Sequence, residues 1–104
     1  REGGDMSAMA EFSIFPLDKG DSLSEYVARA VKIVKDSGLT YRLGPMGTSI
    51  EGEWDEVMRV IDNCFEELKQ DCGRIHLTVR IDYREKGGAR MERKVKSVEA
   101  HLDA

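Results

Sequence analysis

One stretch constrains this chain more than any other. From Arg74 to Tyr83, the apolar residues Ile75, Leu77, Val79, Ile81 and Tyr83 alternate without a break against Arg74, His76, Thr78, Arg80 and Asp82. Successive side chains of a strand point to opposite faces, so this pattern specifies a strand with one greasy face and one wet face. Such a strand needs neighbours to pair with and an apolar layer to cover its greasy side. The rest of the chain supplies both.

Ala8 to Phe15 is a second alternating run, with Ala10, Phe12 and Ile14 set against Glu11 and Ser13; Pro16, which cannot donate to a ladder, ends it. Ser22-Leu23-Ser24-Glu25 matches a capping box and opens a helix with Leu23, Val27, Ala30 and Val34 at core spacing, flanked by Tyr26 and Val31. Gly38 suits the left-handed residue that closes it. Thr40–Leu43 and Thr48–Glu51 read as short strands joined by Gly44-Pro45-Met46-Gly47, where Pro presets φ for a type I turn. A second helix spans Trp54 to Gln70. Its first turn is acidic (Glu53, Asp55, Glu56), its buried stripe is Val57, Ile61, Cys64 and Leu68 with Val60 and Phe65 beside it, and Gly73 stops it. After Gly87-Gly88 a last helix runs from Arg90 to Leu102. Its narrow seam of Met91, Val95, Val98 and Leu102 is expected to pack on the domain or across subunits. The order β-α-β-β-α-β-α is α+β, a split β-α-β sheet with two helices on one face and a polar opposite face.

At 104 residues the chain suits one domain, read as 6–104; residues 1–5 are charged and read as an extension or tag remnant ahead of Met6. No apolar run approaches the roughly 20 residues that span a bilayer, and the N-terminus lacks a signal-peptide core. A net charge of −4 removes the general attraction to nucleic acid and to anionic membranes, and 7% aromatics leaves few stacking platforms for bases. The cluster Arg90, Arg93, Lys94 and Lys96 lacks aromatics and reads as a solvated helix face. Cys64 and Cys72, eight apart on one helix or its end, would lie about 12 Å apart, beyond disulfide reach. Two reduced thiols, with Cys72 the more exposed, point to the cytoplasm.

Phe15-Pro16-Leu17 leading into a Ser-x-x-Glu helix start, then Tyr41-Arg42-Leu43-Gly44-Pro45-Met46-Gly47-Thr48, then Glu51-Gly52-Glu53 before an acidic helix, then Asp82-Tyr83-Arg84 and a basic final helix together resemble the small thiamine-binding domain family. The resemblance covers Met6 to Leu102, and Met46-Gly47-Thr48 with Glu51 is its most distinctive part. It implies a ferredoxin-like βαββαβ antiparallel sheet, self-association into dimers and tetramers, and binding of thiamine or its hydroxymethylpyrimidine moiety without an established catalytic activity.

An aminopyrimidine needs a carboxylate or carbonyl for its amine, a hydroxyl or amide for its ring nitrogen, and a packed flat face. Glu11 and Ser13 on the first strand, with Thr48 and Glu51 on the third, are expected to converge on the open sheet face, where Gly47 would admit a ligand close to the backbone. Taken singly, each has a plainer role. Gly44, Pro45 and Gly47 make a turn, Thr48 is an ordinary strand former, and Glu51 with Glu53 charges a helix start. His76 and Arg80 read as an interface or as cross-strand pairing with Glu11, and His101 as exposed; a lone histidine makes no metal site. Three functions follow in order: a carrier or sensor for thiamine or its pyrimidine, needing no cofactor and no metal; an oligomeric regulatory or interaction domain with its polar face covered; and an enzyme, for which no nucleophile elbow, phosphate loop or Cys/His pairing is present.

Overall fold

A computed structural model describes residues 7–85 and 90–103. The extension 1–5, Met6 and the Gly87-Gly88 break lie outside the described residues. The elements follow the order β1 (Ser7–Pro16), α1 (Ser24–Asp36), β2 (Thr40–Leu43), β3 (Thr48–Gly52), α2 (Trp54–Lys69), β4 (Ile75–Arg84) and α3 (Arg90–Leu102). The strands form one antiparallel sheet in the order β2-β3-β1-β4, the ferredoxin-like arrangement.

Register decides which residues share a face. Ala10 pairs with Ile50 on one side and Ile81 on the other, and Phe12 with Thr48 and Val79. These residues form the face beneath α1 and α2, where Ala8, Ala10, Phe12, Ile14 and Ile50 meet Ala30 and Val34 of α1 and Val57, Ile61, Cys64 and Leu68 of α2, all buried. Removing a Leu side chain such as Leu68 from a core of this kind costs about 2–5 kcal/mol. Beyond Phe12, β1 pairs only with β4, so the N–H that Pro16 lacks is not missed.

Each helix start differs from its local pattern. Leu23, not Ser22, is the N-cap of α1: its carbonyl accepts from the N–H groups of Tyr26 and Val27, and no side chain caps the helix. The expected capping box at Ser22 does not form, because the first helical turn closes one residue later. A capping box occurs instead on α2, where the Glu53 N–H donates to Glu56 Oε1 at 3.2 Å. Gly38 at φ 80° ends α1 as expected. The two helices are tied by Arg29, whose Nε–H donates to Glu67 at 3.0 Å while both terminal nitrogens donate to Asp71 at 2.9 and 3.0 Å.

The last helix breaks the two-layer pattern. Its first turn (Arg90, Met91) is buried against residues of the open face, whereas Val98 and Leu102 are 60% and 78% exposed. The Cα radius of gyration, 15.0 Å, exceeds the roughly 13 Å of a compact 100-residue domain, as a flat slab with a projecting helix requires. No helix among the described residues is long and apolar enough to cross a membrane.

Candidate functional site

The four expected side chains do not converge. Thr48 pairs with Phe12 on the helical face, whereas Glu11 pairs with Ser49 and Glu51 with Met9 on the open face. Thr48 and Glu51 are three apart, and an odd spacing on a strand puts side chains on opposite sides. That parity was present in the sequence and excludes their joint use on one face. Glu11 forms an ion pair with Arg80 across β1 and β4, and His76 stacks on Phe15 at 5.1 Å. Ser13 faces the same open side.

Glu51 has a different partner. Its Oε2 accepts from the N–H of Arg90 at 2.5 Å and of Met91 at 3.2 Å, so a strand carboxylate caps α3. Arg90 itself, expected on a solvated helix face, is 2% exposed. Its Nε–H donates to Ser7 Oγ at 2.9 Å, Nη1 to Asp82 Oδ2 at 2.9 Å, and Nη2 to the carbonyls of Ser7 and Asp82 at 3.2 and 2.8 Å. Lys94 also reaches Asp82, at 3.1 Å. Hydrogen bonds first from Lys94 and then from Arg90 hold the Asp82 carboxyl below its usual range. This junction links residues up to 83 positions apart, so no local pattern announces it.

Gly47 also plays a structural part. A Cβ there would lie 3.0 Å from the Phe12 carbonyl, so what approaches its backbone is β1. The Gly44 N–H donates to the Gly47 carbonyl at 2.9 Å and closes the hairpin.

A cavity does open beside this hairpin, but on the helical side of the sheet. It measures about 300 Å³ and lies between β1, the α1 face of Val27, Ala30 and Val31, and the run Leu43 to Thr48. The hairpin leaves Val27 36%, Leu43 59% and Met46 87% exposed around it, which accounts for the incomplete burial of Val27 at a core spacing. Ser13, Gly47 and Thr48 all line it, although parity directs the Ser13 hydroxyl to the other face. Beyond Val27 and Leu43 it continues into a shallower groove edged by Asp21, Lys32, Lys35 and Asp36. Flat apolar walls, a single nearby hydroxyl on Thr48 and exposed main chain at a glycine turn suit a small planar heterocycle.

The thiols stand apart from this cavity. Cys64 is fully buried, donates to the Ala30 carbonyl at 3.4 Å, and is pushed up to about 12 by burial. Cys72 is the more exposed of the two, yet at 6% it too is buried, and burial raises it. Both are free. Among the described residues no group of His, Cys, Asp and Glu could hold a metal ion.

Fold and cavity together define a small ferredoxin-like domain. The family model described as thiamine-binding protein matches residues 10–99. Curated relatives match nearly end to end: the UPF0045 protein Mb1933 of Mycobacterium bovis is 36% identical over 98 residues, 93% of this chain and 96% of its own. The UPF0045 protein YqgV of Bacillus subtilis is 34% identical over 101 residues, 91% of this chain and 97% of its own. Among solved structures, MJ1052 of Methanocaldococcus jannaschii superposes with a TM-score of 0.82 at 33% identity, covering 89% of this chain and 96% of that one. TM0486 of Thermotoga maritima, whose name carries a provisional assignment to thiamine biosynthesis or salvage, superposes at 0.78 with 29% identity, covering 88% and 98%. The chain belongs to the thiamine-binding protein family, the UPF0045 proteins.

Proposed function

We propose that this protein binds thiamine or its hydroxymethylpyrimidine moiety in the cavity between α1 and the β2–β3 hairpin, and carries or senses it in the cytoplasm without transforming it. The observation that carries this reading is the cavity itself. It is lined by Met46, Gly47 and Thr48, which together with Glu51 (not part of the lining) are the most distinctive part of the family resemblance, and its 300 Å³ sits at the small end of ligand pockets. The pyrimidine packs flat between Val27, Leu43 and Met46, and the Thr48 hydroxyl meets a ring nitrogen. The cationic thiazolium of thiamine extends along the groove toward Asp21, since Asp36 is already paired with Lys32 at 2.9 Å. A non-catalytic role accords with two thiols that are both buried and held protonated, and free thiols accord with a reducing compartment.

Self-association belongs to the same proposal. β4 is a ten-residue edge strand with no partner on its outer side among the described residues, and the Val98 and Leu102 seam is uncovered. A second copy covers these surfaces, giving dimers and tetramers, and light scattering that reports a monomer at micromolar concentration refutes this. Calorimetric titration with thiamine and with hydroxymethylpyrimidine tests the ligand. Binding of either that is lost in Val27→Trp, which fills the cavity, supports the reading; no heat from either at millimolar concentration overturns it. An interaction domain without a pyrimidine ligand is the second reading, favoured by the same uncovered surfaces.

A further inference from the structure

The pyrimidine cavity is open on one side, and that side is the groove along α1. Val27, Val31 and Leu43 belong to both. The groove follows the Ser24, Ala28, Val31 and Lys35 side of α1, about 16 Å from end to end at helical rise. Its floor is apolar and its two ends differ in charge. Asp21 stands at the start, before the positive end of the helix dipole, and Lys35 at the finish. Lys32 and Asp36 cancel in a 2.9 Å ion pair, whereas Asp21 and Lys35 have no charged partner among the described residues. The C-terminal half of α3 has the complementary form. Val95, Val98 and Leu102 recur at i, i+3 and i+7, the spacing by which a helix seats in a groove, and the last two are uncovered. Lys96 is taken by Glu92 at 3.2 Å. Glu99 and Asp103 are exposed and without a charged partner among the described residues, so this end of the helix carries two carboxylates and the negative end of the dipole.

We propose that α3 of a second copy lies antiparallel in the groove of α1 and closes the open side of the pyrimidine cavity. This direction sets the partner's Glu99 against Lys35, lays the partner's Leu102 over Val27 and Leu43, and brings the partner's Asp103 toward the Asp21 end. The reverse direction places the negative end of α3 at the negative end of α1. With the cavity empty, the partner's Asp103 and Asp21 repel. A cationic thiazolium between them turns that repulsion into two attractions. Thiamine and the second copy therefore favour each other's binding, by linkage to the same degree. This coupling rests on the pyrimidine reading of the cavity; the docking of α3 does not.

Crosslinking and sedimentation on the full chain test the two parts separately. Lys35→Cys and Glu99→Cys chains, mixed and treated with a short bismaleimide, are expected to give a covalent dimer; Cys64 and Cys72 are buried and stay unreacted. Arg59→Cys, on the exposed side of α2, replaces Lys35→Cys as the control and gives none with Glu99→Cys. In sedimentation equilibrium, Leu102→Lys and Lys35→Glu each weaken self-association about tenfold, and Glu99→Lys added to Lys35→Glu restores it. Saturating thiamine tightens self-association of the parent chain about tenfold, and that of Asp103→Asn by less than about twofold. Three results overturn the docking: no crosslink between Lys35→Cys and Glu99→Cys, a crosslink of Lys35→Cys chains to one another (groove on groove), or self-association unchanged by Leu102→Lys. Thiamine that binds without tightening self-association overturns the coupling alone. No heat from thiamine with the Lys35→Cys to Glu99→Cys crosslink intact means that the pyrimidine reading has failed and the coupling with it, while the docking of α3 stands.

Discussion

Glu51 separates two accounts of the same residue, a ligand for a pyrimidine amine or the anchor of α3, and substituting it decides between them. In the folded chain its Oε2 accepts two N–H groups, at 2.5 and 3.2 Å, in a site where Glu51, Arg90 and Met91 are all buried. Glu51→Gln keeps one acceptor oxygen but loses the charge. The charge-assisted premium and the interaction with the helix dipole together amount to about 1–2 kcal/mol. Glu51→Ala strands two buried donors, each costing about 1–3 kcal/mol. Because α3 docks mainly through its first turn, the loss falls on α3 before it falls on the sheet. Native-state hydrogen exchange is the assay. In Glu51→Gln, amides of the first turns of α3 are expected to exchange about tenfold faster, while Ala10 and Ile50 in the sheet centre keep their protection. Thiamine affinity stays within twofold of the parent (roughly 0.4 kcal/mol). Unchanged exchange in α3 together with lost ligand binding would refute the anchoring account and restore Glu51 to the ligand site.

Other outcomes follow from single contacts. Thr48→Val preserves shape and removes the one hydroxyl facing the cavity, so pyrimidine affinity falls by about 1 kcal/mol with little change in melting temperature; equal affinity counts against Thr48 as a contact. Gly47→Ala sets a methyl 3.0 Å from the Phe12 carbonyl, and denaturant melts should show a loss of about 1–3 kcal/mol from the strained hairpin. Asp71 and Asp82 are both held below the usual carboxylate range, chiefly by hydrogen bonds from Arg29 and Lys94 respectively. A depressed folded pKa stabilises above the unfolded value of 3.8 and is lost as pH falls through the folded value. Urea midpoints therefore decline as pH drops below about 4, and the double variant Asp71→Asn/Asp82→Asn flattens that decline. Thiol titration of the native protein should label neither Cys64 nor Cys72 within minutes, and both on unfolding; rapid native labelling of Cys72 contradicts its burial.

The local patterns carried most of the fold. The alternation read from Arg74 to Tyr83 forms a strand, although Leu77 and Tyr83 on its apolar side stay 39% and 50% exposed at the sheet edge. The core spacing of Ala30 and Val34 and the Gly38 stop, local consequences of the helix itself, are kept. The site was legible only in part. The hairpin and Thr48 do border a cavity, but which side of the sheet it opens on follows from parity, and Thr48 and Glu51, three apart, had to part company. Ser22 matched a capping box that does not form, while Glu53 and Glu56 formed one that a glance at first-turn acidity reads only as dipole charge.

What the amino-acid order determined alone is therefore what depends on near neighbours: element type, order, and which face of each element is greasy. Tertiary structure decided where the ends of the chain meet. Glu51 became a helix cap and Arg90 a buried cation because β1, β3 and β4 bring Ser7, Glu51 and Asp82 together beside the start of α3. Those partners are 8 to 83 residues from Arg90, and the desolvation that makes their contacts matter exists only once the sheet has formed.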